Sequence, residues 1–463
     1  MAFVEGPVVV EPSAAATKPA ARSGRRYLVI LTIGISGFAA LALEVVWMRI
    51  LVQSFSATVY AFSIMLACFL AGIFFGSERE GRQIDKRKRP AERLIRLELA
   101  LFAYVAALAV LTYVVPGFFG TFLWGLTAVT GGAFAFASIA AQVTAASLLI
   151  FLPTYWLGAA FPLAVKVFAL DIHDRAADTG RVYAANTFGA LLGALAAGFI
   201  LIPAFGARNS LLVIAALFLL AAFSLQPLAE HPSEKHDTPL RVAALGAGLA
   251  AAIFALLLPR QILVNYNMQQ SSRPDVIYHG EGVAHTVDII RTPRKHSVMM
   301  VNGNIEADTT LVQKRHFILK AHLPLLLHHA AKEVAVIGLG LGITVSATAR
   351  NPVTDRIRLV ELSPEMVEAH RHLRDLTDNV LANPKVRLLI DDGRNFLSRS
   401  TESFDMITAD PIHPRITGVG YLYTREYYEA VRSRLRPGGY ILQWSGGVTT
   451  SPLPCSTTAA RWR

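Results

Sequence analysis

Val334-Ala-Val-Ile-Gly-Leu-Gly-Leu-Gly342 decides how this chain is read: an apolar, β-branched run breaks into three glycines spaced two apart. A strand that empties into such a loop opens a nucleotide-binding unit, because glycine lets the backbone turn tightly and approach a ligand with no side chain between them. The loop continues with Ile343 and Thr344, so it lacks the last glycine of the dinucleotide fingerprint, and no Gly-Lys-Ser/Thr follows as in a phosphate loop. An adenosyl-sulfonium ligand needs no pyrophosphate grip, and the spacing suits one.

Outward from this loop, strands and helices alternate, the pattern of a parallel, doubly wound sheet. Strands are expected at Glu333–Ile337, Arg356–Glu361, Val386–Ile390, Phe404–Ala409 and Tyr440–Trp444. Ligands in such sheets bind at the carboxyl ends of the strands, which here carry Gly338, Glu361, Asp391 with Asp392, and Asp410. Gly338, Gly340 and Gly342 free the backbone; Glu361 can accept both ribose hydroxyl protons; Asp392 can accept from an adenine amino group; Asp410 stands where a reacting group would sit. One acid at a strand end is commonly a helix cap, but acids in consecutive units point to a nucleoside site. Before this unit come short strand patterns at Val276–Tyr278, Thr286–Ile290 and Ser297–Val301, the last closed by Asn302-Gly303, which predict a small antiparallel sheet.

Upstream of Pro259 the composition changes. The 463 residues are 53% apolar, and Leu99–Val165 contains no Asp, Glu, Lys, Arg or His. At roughly 20 residues per span, that run has room for three helices. With Tyr27–Ile50, Thr58–Gly76, Val182–Pro203, Leu211–Leu228 and Val242–Leu258 it makes about eight; seven is the rival count, because Gly117–Ala137 is rich in Gly and Thr and suits a re-entrant or external loop. The segments are thus a flexible basic arm at 1–26, a transmembrane helical domain at 27–258, a small β subdomain with a linking helix at 259–329, and a nucleoside-binding domain at 330–463. Gly189, Gly193 and Ala197 line one helix face for close packing. Glu44 is a costly carboxylate in a span, with Arg49 its nearest candidate partner, and Pro153 and Pro162 should kink their helix.

The net charge of +11 lies mostly beside the spans, in the arm and between Arg79 and Arg93, which fits positive-inside topology or anionic lipid better than nucleic acid. Eight spans return the soluble part to the cytoplasm, where adenosyl cofactors are made; seven leave it outside. Cys68 and Cys455 offer neither a disulfide framework nor a metal pattern. His328-His329, His370 with His372, and His413 have no convincing ligand partners, so no metal is expected, and no serine or cysteine nucleophile motif is present.

Together, V-A-V-I-G-L-G-L-G-I-T, L-V-E-L-S-P-E-M-V-E-A, D-D-G-R-N-F-L, F-D-M-I-T-A-D-P-I-H-P, L-Y-T-R-E-Y-Y and L-R-P-G-G-Y-I-L-Q-W resemble the spermidine synthase family, specifically its bacterial membrane-fused members. A-L-E-V-V-W-M-R-I-L and Y-A-A-N-T-F-G-A-L-L-G-A resemble their membrane part. The resemblance implies a Rossmann-like, methyltransferase-type domain after a multi-span helical one, in the bacterial inner membrane. The implied reaction is aminopropyl transfer from decarboxylated S-adenosylmethionine to putrescine. By position, Glu361 would hold the ribose, Asp392 with Gly393 the adenine, and Asp410 the attacking amine, with Tyr421 and Tyr423 along the acceptor channel.

The chain departs from that family where the polyamine should bind. Leu341 replaces an Asp of the glycine loop, His413 a second Asp after Asp410, and Glu306 a Gln, while Leu311–His322 lacks the expected acids. Desolvated ammonium groups need counter-charges, so the nucleoside half of the site is intact and the polyamine half eroded. The end after Trp444 lacks two strands that usually close such a sheet and looks truncated. Two other functions stay open: methyl transfer from intact S-adenosylmethionine, and transport or sensing of a polyamine-like cation by the bundle. A homodimer is one assembly open to it.

Overall fold

The computed structural model describes residues 19–55, 59–112, 115–132, 134–168, 175–229, 237–258, 275–328, 330–409, 419–445 and 456–461. Most of the expected N-terminal arm, Asp410 and His413 lie outside the described residues; the first helix already begins at Pro19.

The apolar half is a helical bundle: α1 (Pro19–Phe55), α2 (Val59–Gln83), α3 (Pro90–Leu111), α4 (Val115–Val129), α5 (Phe134–Ala146), α6 (Leu152–Phe168), α7 (Arg175–Ala196), α8 (Ile202–Ser224) and α9 (Asp237–Leu257). Six runs are long and apolar enough to cross a membrane, against the eight spans expected. The 53-residue run Ala176–Leu228 would measure about 80 Å as one helix, more than twice a hydrocarbon core. Gly206, at φ 78°, breaks it into two passes. Separating those passes makes seven traverses among the described residues. The 15 residues of α4 fall short of a span, and they form a hairpin with α5 at the Gly/Thr-rich stretch.

Small residues seat the helices. A Cβ on Gly189 would lie 2.0 Å from the Gly34 carbonyl oxygen, and one on Gly193 2.0 Å from that of Phe38, so α1 and α7 run parallel with backbones touching. Gly72, Gly76 and Gly158 serve α2 against α6 in the same way. Pro153 and Pro203 each follow a π-helical segment, Ser147–Phe151 and Ala197–Leu201; the widened turn makes room for a ring that would otherwise strike the preceding carbonyl.

The two ends of the bundle differ. At one, Arg26 pairs with Asp178, Thr32 Oγ1 meets Ser224 Oγ at 2.7 Å, and Lys166 Nζ reaches the Ile84 carbonyl. At the other, Arg49 Nη2 donates to the carbonyls of Gly282 (2.9 Å) and Val283 (2.8 Å), and a Cβ on Gly303 would strike the Gln53 carbonyl oxygen at 2.3 Å. Arg49 therefore turns to the soluble half, not to Glu44.

That half begins with β1 (Asp275–Glu281), β2 (Thr286–Arg291), β3 (Ser297–Val301) and β4 (Asn304–Asp308) in sequential antiparallel order. Asn302 (φ 50°) and Gly303 (φ 77°) give the β3–β4 turn the two left-handed residues that a tight hairpin needs. Helix α10 (Leu311–Leu327) leads into β5 (Glu333–Ile337), β6 (Arg356–Glu361), β7 (Val386–Ile390), β8 (Phe404–Ala409) and β9 (Leu435–Ser445). These five are parallel, and with β10 (Ser456–Arg461) the spatial order is β10-β9-β8-β5-β6-β7. The open edge expected beside β9 is not there: β10 pairs with it antiparallel from Ser456↔Ser445 to Arg461↔Tyr440. Apolar cores fill both sheet faces, around Val336, Leu359 and Met406 on one side and Ile407, Leu397 and Tyr427 on the other.

Candidate functional site

A cavity of about 620 Å³ opens at the carboxyl ends of the parallel strands, between them and the small β sheet. Gly338, Gly340, Glu361, Asp391, Asp392, Gly393 and Glu306 line it, as do Leu341 and Val360. Gly338 (φ 94°), Gly340 (φ 51°) and Gly342 (φ 75°) all hold left-handed backbone, where a side chain would be strained. Gly342 lies outside the cavity and begins the next helix, α11 (Ile343–Ala349); a Cβ there would lie 2.3 Å from His370 Nε2.

Glu361 ends β6 with 7% of its surface exposed. Its Oε2 accepts from Leu339 N and its Oε1 from Ser363 N, both at 2.8 Å, so loop and carboxylate fix one another. Burial pushes its carboxyl above the ordinary range, and the backbone amides partly restrain that rise. The Leu362 amide adds to these two, and a carboxylate has acceptor capacity beyond three donors, which leaves room for a ribose hydroxyl.

The neighbouring strand brings the next acids close, because Glu361 pairs with Ile390 and the Asp391 amide donates to the Glu361 carbonyl at 3.1 Å. Asp392 N-caps α12 (Gly393–Arg399): its Oδ1 accepts from Arg394 N at 2.9 Å and Asn395 N at 3.0 Å. The cap reading and the ligand reading thus coexist, since the cap uses one carboxylate oxygen. A Cβ on Gly393 would lie 2.3 Å from Ile337 Cγ2, so only glycine lets α12 sit this near the cavity floor.

The tyrosines do not line this cavity. Tyr421 is 61% exposed beneath the Arg394 guanidinium, Tyr423 donates its hydroxyl to the Trp444 carbonyl at 3.2 Å, and Leu422 between them faces the ligand space. Residues missed in the sequence come chiefly from α10. Gln313, His316, Phe317 and Lys320 repeat at i, i+3, i+4 and i+7, one helix face, and all four line the cavity. Lys320 is 2% exposed, with its ammonium 4.7 Å from the Phe317 ring centre. His285, from the β1–β2 turn that Arg49 holds, lines it too; burial, with Arg49 nearby, keeps that imidazole below its usual pKa.

Residues 318–451 match the spermine/spermidine synthase domain. A polyamine aminopropyltransferase of Mycobacterium tuberculosis is 28% identical over 316 residues, covering 66% of this chain and 58% of that one. Since 205 residues follow Leu258, this match reaches into the bundle. Polyamine aminopropyltransferase 2 of Hyperthermus butylicus is 35% identical over 133 residues, 28% of this chain and 44% of that one. Polyamine aminopropyltransferase 1 of Pseudomonas aeruginosa is 29% identical over 205 residues, 41% and 71% of the two chains. Among solved structures, a spermidine synthase in complex with the transition state analogue AdoDATO is similar at 26% identity and TM-score 0.34, over 37% of this chain and 58% of that one. The chain spans less than two thirds of the mycobacterial relative's length.

Proposed function

We propose that this protein is a membrane-borne aminopropyltransferase that moves a 3-aminopropyl group from decarboxylated S-adenosylmethionine to an amine and releases methylthioadenosine. The observation that carries the reading is the convergence of Glu361, Asp391 and Asp392 with the glycine loop on one cavity, inside a region that matches the spermine/spermidine synthase domain. Glu361 takes the ribose, Asp392 and Gly393 the adenine, and Glu306 lies toward the amine. The amine nitrogen attacks the propyl carbon beside sulfur, the C–S bond breaks with its electron pair passing to sulfur, and a proton leaves the nitrogen. Asp410 is assigned to orient that amine and take the proton, because an alkylamine of pKa about 10 is protonated at neutral pH. The six long apolar runs support a place in a lipid bilayer, which in this reading is the bacterial inner membrane.

Calorimetry on the detergent-solubilised chain with methylthioadenosine, followed by incubation with donor labelled in the propyl group, tests this reading. Nanomolar-to-micromolar nucleoside binding and label transfer from the decarboxylated donor are expected. Absence of nucleoside binding removes the site, and transfer only from intact, methyl-labelled donor replaces aminopropyl by methyl transfer. One observation favours that second reading: Lys320 puts a cation in the cavity, where the carboxylate of an intact donor would find a counter-charge.

A further inference from the structure

We infer that the soluble half, cavity included, faces the side of the membrane away from the cytoplasm. The inference rests on the membrane reading above and on two features of the bundle, the direction of its helices and the placement of its cations.

Direction comes from the contacts at the two ends. Helix α1 leaves the Arg26–Asp178 end and reaches the soluble half through Arg49. Helix α2 returns to Ile84, which Lys166 of α6 also reaches. Helix α7 runs parallel to α1, from Asp178 past Gly189 and Gly193 to the break at Gly206, where the Ala207 amide donates to Glu281 Oε2 at 2.8 Å. Helix α8 comes back to Ser224, beside Thr32, and α9 ends at Leu258, whose carbonyl accepts from Arg208 next to that same break. The chain thus enters the bundle at one end and leaves it, after an odd number of traverses, at the other.

Charge says which end is which. Of the fourteen Lys and Arg at described positions between residues 27 and 258, twelve fall at the entry end, including Arg82, Lys86, Lys88, Lys166, Arg181 and Arg241. The two at the soluble end, Arg49 and Arg208, donate to backbone carbonyls. Lys and Arg beside spans are retained in the cytoplasm, so the entry end is cytoplasmic and the soluble half lies opposite. This replaces the cytoplasmic placement that follows from eight spans. It also sets the enzyme's place in a reaction sequence: a cationic sulfonium nucleoside does not cross hydrocarbon unaided, so a transport step must deliver the donor before this one acts.

Single cysteines test the inference, placed at exposed Thr401 in the soluble half and exposed Lys88 at the entry end. In a Cys68→Ala, Cys455→Ala background, Thr401→Cys should react with a membrane-impermeant maleimide in intact spheroplasts, and Lys88→Cys only after permeabilisation. Protection of Thr401→Cys until permeabilisation overturns the orientation. Release of the chain by alkaline carbonate overturns the membrane reading on which it rests, whatever the labelling. For the unaltered chain, trypsin added to intact spheroplasts should remove the soluble half, and survival of that half counts against the inference without depending on any substitution.

Discussion

Glu281, the last residue of β1, accepts the backbone amide of Ala207 through Oε2 at 2.8 Å, so the soluble half caps a helix of the bundle. The break at Gly206 frees that amide from the preceding helix, and the carboxylate replaces the missing carbonyl. Removing such a cap costs about 0.5–2 kcal/mol. Glu281→Ala should therefore lower the thermal midpoint of the solubilised protein, with Glu281→Gln intermediate because its amide oxygen still accepts. Equal melting of all three proteins would show that the junction does not depend on this contact.

His279 stands behind Glu281, with Nδ1 2.6 Å from Asp288 Oδ1 and Nε2 3.3 Å from Glu281 Oε1. Burial alone lowers the imidazole pKa, but the hydrogen bonds and charges of Asp288 and Glu281 outweigh it and push His279 up to about 10. A histidine raised in the fold contributes stability that is complete below its unfolded pKa, about 6.5, and is lost as pH rises through the folded value. Thermal midpoints should thus fall between about pH 6.5 and about pH 10 more steeply for the native protein than for His279→Gln. Parallel pH curves would exclude a charged His279.

Glu361 predicts the opposite limb of the pH profile for binding. Its carboxyl is raised by burial, so it takes up a proton at a higher pH than an ordinary glutamate as the solution is acidified. Protonation removes a ribose acceptor, and methylthioadenosine affinity should fall as pH drops through that raised value. For folding the sign reverses: the folded state holds this proton more tightly, so acidification from the folded toward the unfolded pKa favours the fold. Glu361→Gln should cost about tenfold to a hundredfold in nucleoside affinity at neutral pH, the worth of a hydrogen bond to a charged group. Unchanged affinity in that variant would remove the ribose assignment.

How much the sequence reveals varies with the physics of each part. The first four parallel strands read out at the bounds the structure has, because each is a short, mostly apolar run closed by Gly or an acid, even β7 at the sheet edge, where Leu389 and Ile390 are exposed. The bundle reads less well. Leu99–Val165 carries no charge, so hydropathy cannot say where the chain turns within it, and a short α4 passes for a span. Glu98, one residue before that run, is fully buried within α3, whereas Glu44 drew notice for lying mid-span. Lys320 and its companions escape notice because α10 has a cavity-facing row of mixed chemistry, without the uniform apolar stripe that marks a helix face. Tyr421 and Tyr423 fall outside the cavity lining because the single 3₁₀ turn Gly420–Tyr423 presents Leu422 to it.

Lys320 offers a direct way to separate the two donors. It is buried, its ammonium lies over Phe317, and it shares the cavity with Glu361 and Asp392. Replacing it by methionine keeps an unbranched side chain only one atom shorter and removes one positive charge from the ligand space. A decarboxylated donor ends in an ammonium, so Lys320→Met should bind it more tightly by severalfold; an intact donor ends in a zwitterion whose carboxylate loses its counter-charge, and its affinity should drop about tenfold or more. Methylthioadenosine has neither group and serves as the internal control, with affinity expected to stay within about twofold. Titration of the three ligands against both proteins therefore reads donor class from the sign of the change. A fall in methylthioadenosine affinity as large as that of either donor would mean that Lys320 supports the architecture of the site and does not sense the tail of its ligand.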